Sequence, residues 1–295
     1  MKRKAVRQGP GTIGISLPTV WVKKYNVTRG QELDLQIKDN TLIISIEGRD
    51  LETKSEFNVS DLAGFFRRHF VHYFYQKGYD EVVIRYDDPS IGKIITDRVS
   101  GILGFEVVEQ GKQFTRIKAL MLTDLQKFDD VLRKAFLVTI QMGDKIIEAV
   151  SKKDFLYLND IARDENINNK YCDLGLRILN KKKEATNSTY LYIIARELEK
   201  LCDLYRSVCE DWNKNVNALD SFIEVHNYVK LYYELYYAFD KEKVELFFTQ
   251  KDKLLEQLRK KIKKADSENV LLLVHCMNIV QCVFDMKGPM FMMKI

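Results

Sequence analysis

The sequence predicts a multidomain chain of three parts. These are a small N-terminal β module over 1–48, a small α+β domain over 49–120, and an all-α domain over 121–295 made of tandem three-helix bundles, about 121–215 and 216–290. Three observations carry this division. Three of the four prolines (Pro10, Pro18, Pro89) precede residue 90, and the fourth is Pro289. Eleven of the fourteen glycines precede residue 112. From about residue 121, apolar residues recur at helical spacing with no proline to break them until Pro289.

In the first part, Lys4–Val6 and Thr12–Leu17 read as strands around the turn Gln8-Gly9-Pro10-Gly11. Pro18 then fits the first turn of a short helix, where its missing N–H costs nothing, and Trp21, Val22 and Tyr25 share an apolar face. Thr28-Arg29-Gly30 makes a turn. Leu33, Leu35 and Ile37 alternate with polar residues, Asp39-Asn40 turns the chain, and Leu42, Ile44 and Ile46 repeat the alternation. So short a segment, with so few apolar side chains, buries too little area to be stable alone. A second copy of itself is the expected partner.

The middle part reads as a helix over Asn58–Lys77, opened by Ser60 and striped by Leu62, Phe65, Phe66, Phe70 and Phe74. A buried strand over Glu81–Tyr86 follows, then a helix over Ile91–Leu103 and strands at Phe105–Glu109 and Thr115–Ala119 around Gly111. In the last part, helices are expected over 122–150, 155–182 and 188–213, then over 219–239, 242–265 and 268–286. The pattern restarts at about 219, and Phe239-Asp240-Lys241 at the end of that helix echoes Lys153-Asp154-Phe155 at the end of the helix over 122–150.

Composition excludes several classes. With 46% hydrophobic residues among 295, the chain can bury real cores. No uncharged apolar run of membrane-spanning length is evident, and the basic N-terminus has no apolar stretch of a secretory signal. Five cysteines without a CxxC pair argue against disulfides or a zinc knuckle and for a reducing, cytoplasmic setting. The formal charge is +5, of which residues 1–24 contribute +6 through Lys2, Arg3, Lys4, Arg7, Lys23 and Lys24, leaving the rest at −1. Doubled by dimerisation, that end suits phosphate neutralisation on nucleic acid.

Other patterns carry less chemistry. Gly9-x-Gly11-x-x-Gly14 lacks the long helix of a dinucleotide fingerprint and reads as a hairpin loop. His69 and His72 stand i, i+3 on one helix, while His226 and His275 are isolated. Tyr232, Tyr233, Tyr236, Tyr237 and Phe239 form an aromatic helical stripe of core or interface type. Met286, Met290, Met292 and Met293 make a soft C-terminal tail expected to dock on the helices or a partner. Asp164 and Asn168, and Glu199 and Asp203, are i, i+4 pairs on two successive helices. Antiparallel packing could bring the four together as oxygen ligands for a divalent or transition metal ion in the first bundle. No nucleophile or general base stands beside them, so no enzyme is expected.

Two stretches resemble known families. Gly14-Ile-Ser-Leu-Pro-Thr-Val-Trp-Val-Lys-Lys-Tyr-Asn-Val-Thr-Arg-Gly-Gln-Glu-Leu resembles the core of the AbrB/MazE/SpoVT swapped-hairpin family, over about residues 3–47. The resemblance implies a dimer of interleaved hairpins that binds double-stranded DNA. By position it implies Arg3, Lys4, Arg7, Thr12 and Lys23 as DNA contacts, with Leu17, Pro18, Trp21, Val22 and Gly30 as core and turn residues. Arg196-Glu-Leu-Glu-Lys-Leu-Cys-Asp resembles the acidic motif of the PhoU family, with Leu198, Glu199, Asp203 and, further on, Glu210 in matching places. Asp164-Glu-Asn-Ile-Asn resembles its companion motif, and the likeness spans about residues 122–288. Leu204 stands where the family usually has histidine, and the second repeat carries Gln250, Leu254, Asn278 and Cys282 in place of the ligand set. Together the parts resemble an archaeal-type phosphate uptake regulator. The resemblance implies a dimeric transcription regulator, or an adaptor that dimerises through its N-terminus and binds a phosphate ABC transporter or signalling component.

Overall fold

The structure is a computed structural model, and it describes residues 1–38, 40–46, 53–62, 66–120, 127–181 and 187–294. Asp39 of the second turn, Phe65 of the middle stripe and the expected helix start at 122–126 lie outside them. The molecule has small β-sheets and a mostly helical body, divided into two compact units, Met1–Leu51 and Glu52–Ile295.

The first unit holds two separate antiparallel hairpins, β1 (Ala5–Arg7) with β2 (Ile13–Ile15) and β3 (Asp34–Lys38) with β4 (Thr41–Ser45). Between them lies helix α1 (Thr19–Tyr25), which starts directly after Pro18 and ends at Asn26 in the left-handed conformation. The alternating apolar residues have the pairing their period demands, Leu35 opposite Ile44 and Ile37 opposite Leu42. Yet no described residue of this unit is buried. Ile13 is 74% exposed, Val20 73% and Ile37 83%.

The second unit opens with a four-stranded sheet of order β5-β6-β8-β7. Strand β5 (Lys54–Asn58) runs parallel to β6 (Glu81–Arg85) through the crossover helix α2 (Phe66–Lys77), while β7 (Phe105–Gln110) and β8 (Phe114–Ala119) pair antiparallel. Helix α3 (Ser90–Val99) packs on β7 and β8. On the core face, Val82, Ile84, Phe105 and Ile117 are buried. On the other face an ion-pair ladder runs from Lys54 to Glu81 to Arg116 to Glu109.

Helices α4 (Phe128–Ser151), α6 (Glu165–Lys181) and α7 (Ser188–Asp211) pack on one another, as do α8 (Leu219–Tyr237), α9 (Lys241–Ile262) and α10 (Ser267–Asp285). Asp240 and Asp266 cap α9 and α10 by accepting the Lys243 and Asn269 amides. The expected helix over 155–182 is two pieces, α5 (Leu158–Ala162) and α6. Backbone bonds shorten to i→i−3 at Arg163 and Asp164, which tightens the turn between them. Helix α11 (Lys287–Lys294) follows with Met290 buried, and Met286, which caps the end of α10, is buried as well. The tyrosine stripe is core, since Tyr232, Tyr233, Tyr236 and Tyr237 all surround Phe136.

Two results differ from the sequence reading. Residues 54–58 form an edge strand where only a later helix is expected. The stretch Ser267–Lys294 is long and apolar enough to cross a bilayer by length and composition. Its Leu272, Cys276, Ile279, Val280 and Val283 are buried in the helical body, so its apolarity serves a core. Packing also crosses the boundary near residue 120, because Val131, Leu174 and Ile178 of the helices complete the core of the sheet layer.

A buried arginine fastens these two layers. Arg177 of α6, with a side chain 1% exposed, meets Asp80 at 2.5 Å and donates to the Tyr75 and Tyr79 carbonyls at 3.1 and 2.7 Å. Lys181 donates to Asp80 at 2.8 Å, and Thr53 donates to its other oxygen through amide and hydroxyl. Burial alone would raise the Asp80 carboxyl, but Lys181, Thr53 and Arg177 together hold it below its ordinary value.

A second network joins the two sets of helices. His226 of α8 lies on Gly143 of α4, its Nδ1 2.8 Å from the Tyr205 hydroxyl of α7 and its Nε2 3.1 Å from Asp144. Lys230 donates to the same Asp144 oxygen at 2.6 Å. A neutral ring protonated at Nε2 satisfies every partner, donating to Asp144 and accepting the tyrosine hydroxyl. Burial, then the Lys230 charge, pushes His226 down to about 4 against the opposing pull of Asp144.

Candidate functional site

Two places gather the chemistry-bearing side chains. The first is the basic hairpin. Pairing of Ala5 with Ile15 and Arg7 with Ile13 puts these four on one face, with Val6 and Gly14 on the other. Arg7 turns back on its own loop, donating to the Gly9 carbonyl at 3.2 Å and the Pro10 carbonyl at 3.1 Å. Arg7 and Thr12 line a shallow depression with Ala5, Pro10, Gly11 and Ile13. Arg3 and Lys4 are exposed just ahead of β1. Lys23 is exposed in the last turn of α1, where with Lys24 it complements the negative end of the helix.

The second is a polar cleft of about 510 Å³ in the second unit, between α2 and α3 on one side and α6 and α7 on the other. Its acids are Asp97, Glu165, Asp173, Glu199 and Asp203, and its bases include His69, His72, Arg98, Lys170, Arg196 and Arg206. His72 Nδ1 lies 2.7 Å from Asp173, whose other oxygen accepts from Gln76. Arg196 pairs with Glu199 at 2.6 Å, and Arg206 lies 3.2 Å from Glu165 and 3.5 Å from Asp203. Burial pushes Glu199 up to about 7 despite Arg196, helped by the charges of Asp173 and Asp203. Asp203 is also raised, by burial and, against Arg206, by the neighbouring Glu165 carboxyl.

Of the four sequence-predicted metal ligands, Glu199 and Asp203 line this cleft, while Asp164 and Asn168 do not. Asp164 accepts from Lys145 at 2.7 Å. Asn168 is fully buried against α4, donating to the Ala135 carbonyl and Thr139 hydroxyl, while its Oδ1 accepts the Cys172 thiol. The reason is helix phase. Packing on α4 turns Asn168 inward, so the cleft-facing series on α6 is Glu165, Asn169 and Asp173. As placed, the expected set is not one ligand shell. Among the described residues, no group of three or more His, Cys, Asp or Glu side chains could hold a metal ion.

Within the cleft, burial and neighbouring acids hold both the Glu199 and Asp203 carboxyls toward the protonated form, against Arg196 and Arg206. Since Glu199 titrates near 7 when folded and near 4.5 when unfolded, it favours folding fully below about 4.5 and loses that contribution as pH rises through 7. Glu199→Gln, 23% exposed in the parent side chain, is therefore expected to stabilise the protein by about 2 kcal/mol at pH 8 and by almost nothing at pH 4. Urea unfolding at the two pH values checks this, and an equal effect at both would contradict it.

Sequence reasoning picked out His69 and His72 but had no signal for Glu165 or Asp173, whose role depends on which face of α6 meets α4. Compared with family models, curated proteins and solved structures, the chain matches none.

Proposed function

We propose that the protein is a dimeric, non-enzymatic DNA-binding regulator of phosphate uptake, with its first unit as the DNA-binding dimer and its helical body as the sensing or partner-binding part. The observation that carries the DNA half is the first unit itself. It exposes Ile13, Val20 and Ile37, buries none of its described residues, and bears six of the chain's positive charges with no acid in residues 1–24. A segment built this way gains a core only by pairing, and pairing gathers twelve positive charges on one object. The phosphate half rests on the resemblance of residues 122–288.

The test uses the full chain. Sedimentation is expected to give a dimer, and Ile37→Glu is expected to give a monomer that no longer binds DNA. Anisotropy on a duplex from the protein's own promoter should show affinity falling steeply between 50 and 200 mM salt, following roughly 0.9 power of salt per phosphate contact. Replacing Arg3 and Lys4 by alanine should flatten that slope. Salt-independent binding, or a dimer untouched by Ile37→Glu, would sink the reading.

One observation favours a second reading, an adaptor whose N-terminal unit only dimerises: the Arg7 guanidinium is spent on the carbonyls of Gly9 and Pro10. Co-purification of a phosphate ABC transporter ATPase or signalling protein, unaffected by the basic substitutions, would support it.

A further inference from the structure

The loop between β1 and β2 is tied down from within. Arg7 holds the Gly9 and Pro10 carbonyls, and the Gln8 amide donates to the Thr12 carbonyl at 2.9 Å. The Gln8 side chain then crosses Gly14 on the opposite strand. A Cβ on Gly14 would lie 2.8 Å from Gln8 Cδ and 3.0 Å from both Oε1 and Nε2, so the whole amide group lies on the backbone that glycine leaves bare. Gly14 has no unusual backbone angle to explain its presence, since it is absent from the positive-φ glycines. Its lack of a side chain seats Gln8. The seated amide is exposed and makes no hydrogen bond to the described residues, so its two donors and one acceptor are open to a ligand.

An amide in a fixed place, on a loop flanked by Arg3, Lys4 and Arg7, has the donor and acceptor pair that matches the N7 and N6 edge of adenine in the major groove. Arginine and lysine neighbours supply sequence-independent phosphate affinity and cannot by themselves select a base. We propose that Gln8 is the sequence-reading residue of the basic hairpin, seated by Gly14 and aimed by the Arg7-tied loop at an adenine edge of duplex DNA. This rests on the DNA-binding reading above.

The experiment selects random-sequence duplexes on full-length protein, then measures affinities for single-base-pair variants of the selected site. Wild type should prefer A·T at one position per half-site by about 5- to 100-fold, the range of one bidentate contact. Gln8→Ala should level the four bases there while leaving the salt slope unchanged. Gly14→Ala, which unseats Gln8 without altering it, should do the same. Gln8→Glu should shift the preference toward C, whose N4 donates to a carboxylate. Full discrimination retained by Gln8→Ala, in a variant with unchanged circular dichroism, overturns the proposal and leaves DNA binding standing. A wild type without salt-dependent DNA binding overturns both.

Discussion

Replacing Gly143 by alanine is expected to lower stability by roughly 3 kcal/mol or more, an unusually large effect for one methyl group. The new Cβ would fall 2.2 Å from His226 Cε1 and 2.3 Å from Nδ1, inside a ring that is completely buried. The ring has nowhere to go. Its Nδ1 faces Tyr205, its Nε2 faces Asp144, and Phe222 lies parallel to it at 6.1 Å. Moving it breaks both hydrogen bonds and leaves buried polar atoms unpaired, so a packing cost and a desolvation cost add. The same site sets a pH dependence. His226 titrates near 4 when folded and near 6.5 when unfolded. The unfolded chain therefore binds more protons in that interval, and stability present above about 6.5 is lost as pH falls toward 4, by on the order of 3 kcal/mol. Urea midpoints of wild type and His226→Gln between pH 4 and 7 check this. A wild-type slope no steeper than that of the variant would contradict it.

Arg177→Met is expected to cost about 3–5 kcal/mol, the usual penalty for removing one partner of a buried ion pair. The methionine replaces the volume but strands the Tyr79 carbonyl just past α2, leaves the Tyr75 carbonyl with the Gly78 amide alone, and takes one of two cations from Asp80. Lys181 remains, so Asp80 keeps a counter-charge and the protein is expected to fold with the sheet layer loosened on α6. Hydrogen exchange should show the loss first in α2 and β6, ahead of α8 to α10. Uniform loss of protection across the unit would contradict that order.

Local patterns were legible and phase was not. The alternation of Leu33, Leu35 and Ile37 against Leu42, Ile44 and Ile46 names a hairpin because strand period and turn residues are neighbours in sequence. Lys54–Asn58 has one aromatic residue among polar ones and becomes a strand through pairing with Glu81–Arg85, which no local signal announces. The carboxylates at and near α6 and α7 are visible as a group in the sequence, but i, i+4 spacing points to Asp164 where Glu165 faces the cleft. A one-residue error rotates a helical side chain by about 100°, and only packing on α4 sets that angle. His226 read as isolated because its partners Asp144 and Tyr205 stand 82 and 21 residues away.

The five cysteines are all buried and unpaired, and all belong to the second unit. Burial pushes the Cys209 and Cys276 thiols up to about 12 and raises Cys172, Cys202 and Cys282 as well, so none offers thiolate to a reagent near neutral pH while folded. The molecule thus carries a built-in clock. The rate at which an alkylating agent consumes its thiols reads how often the helical body opens, and is blind to any event confined to the basic end.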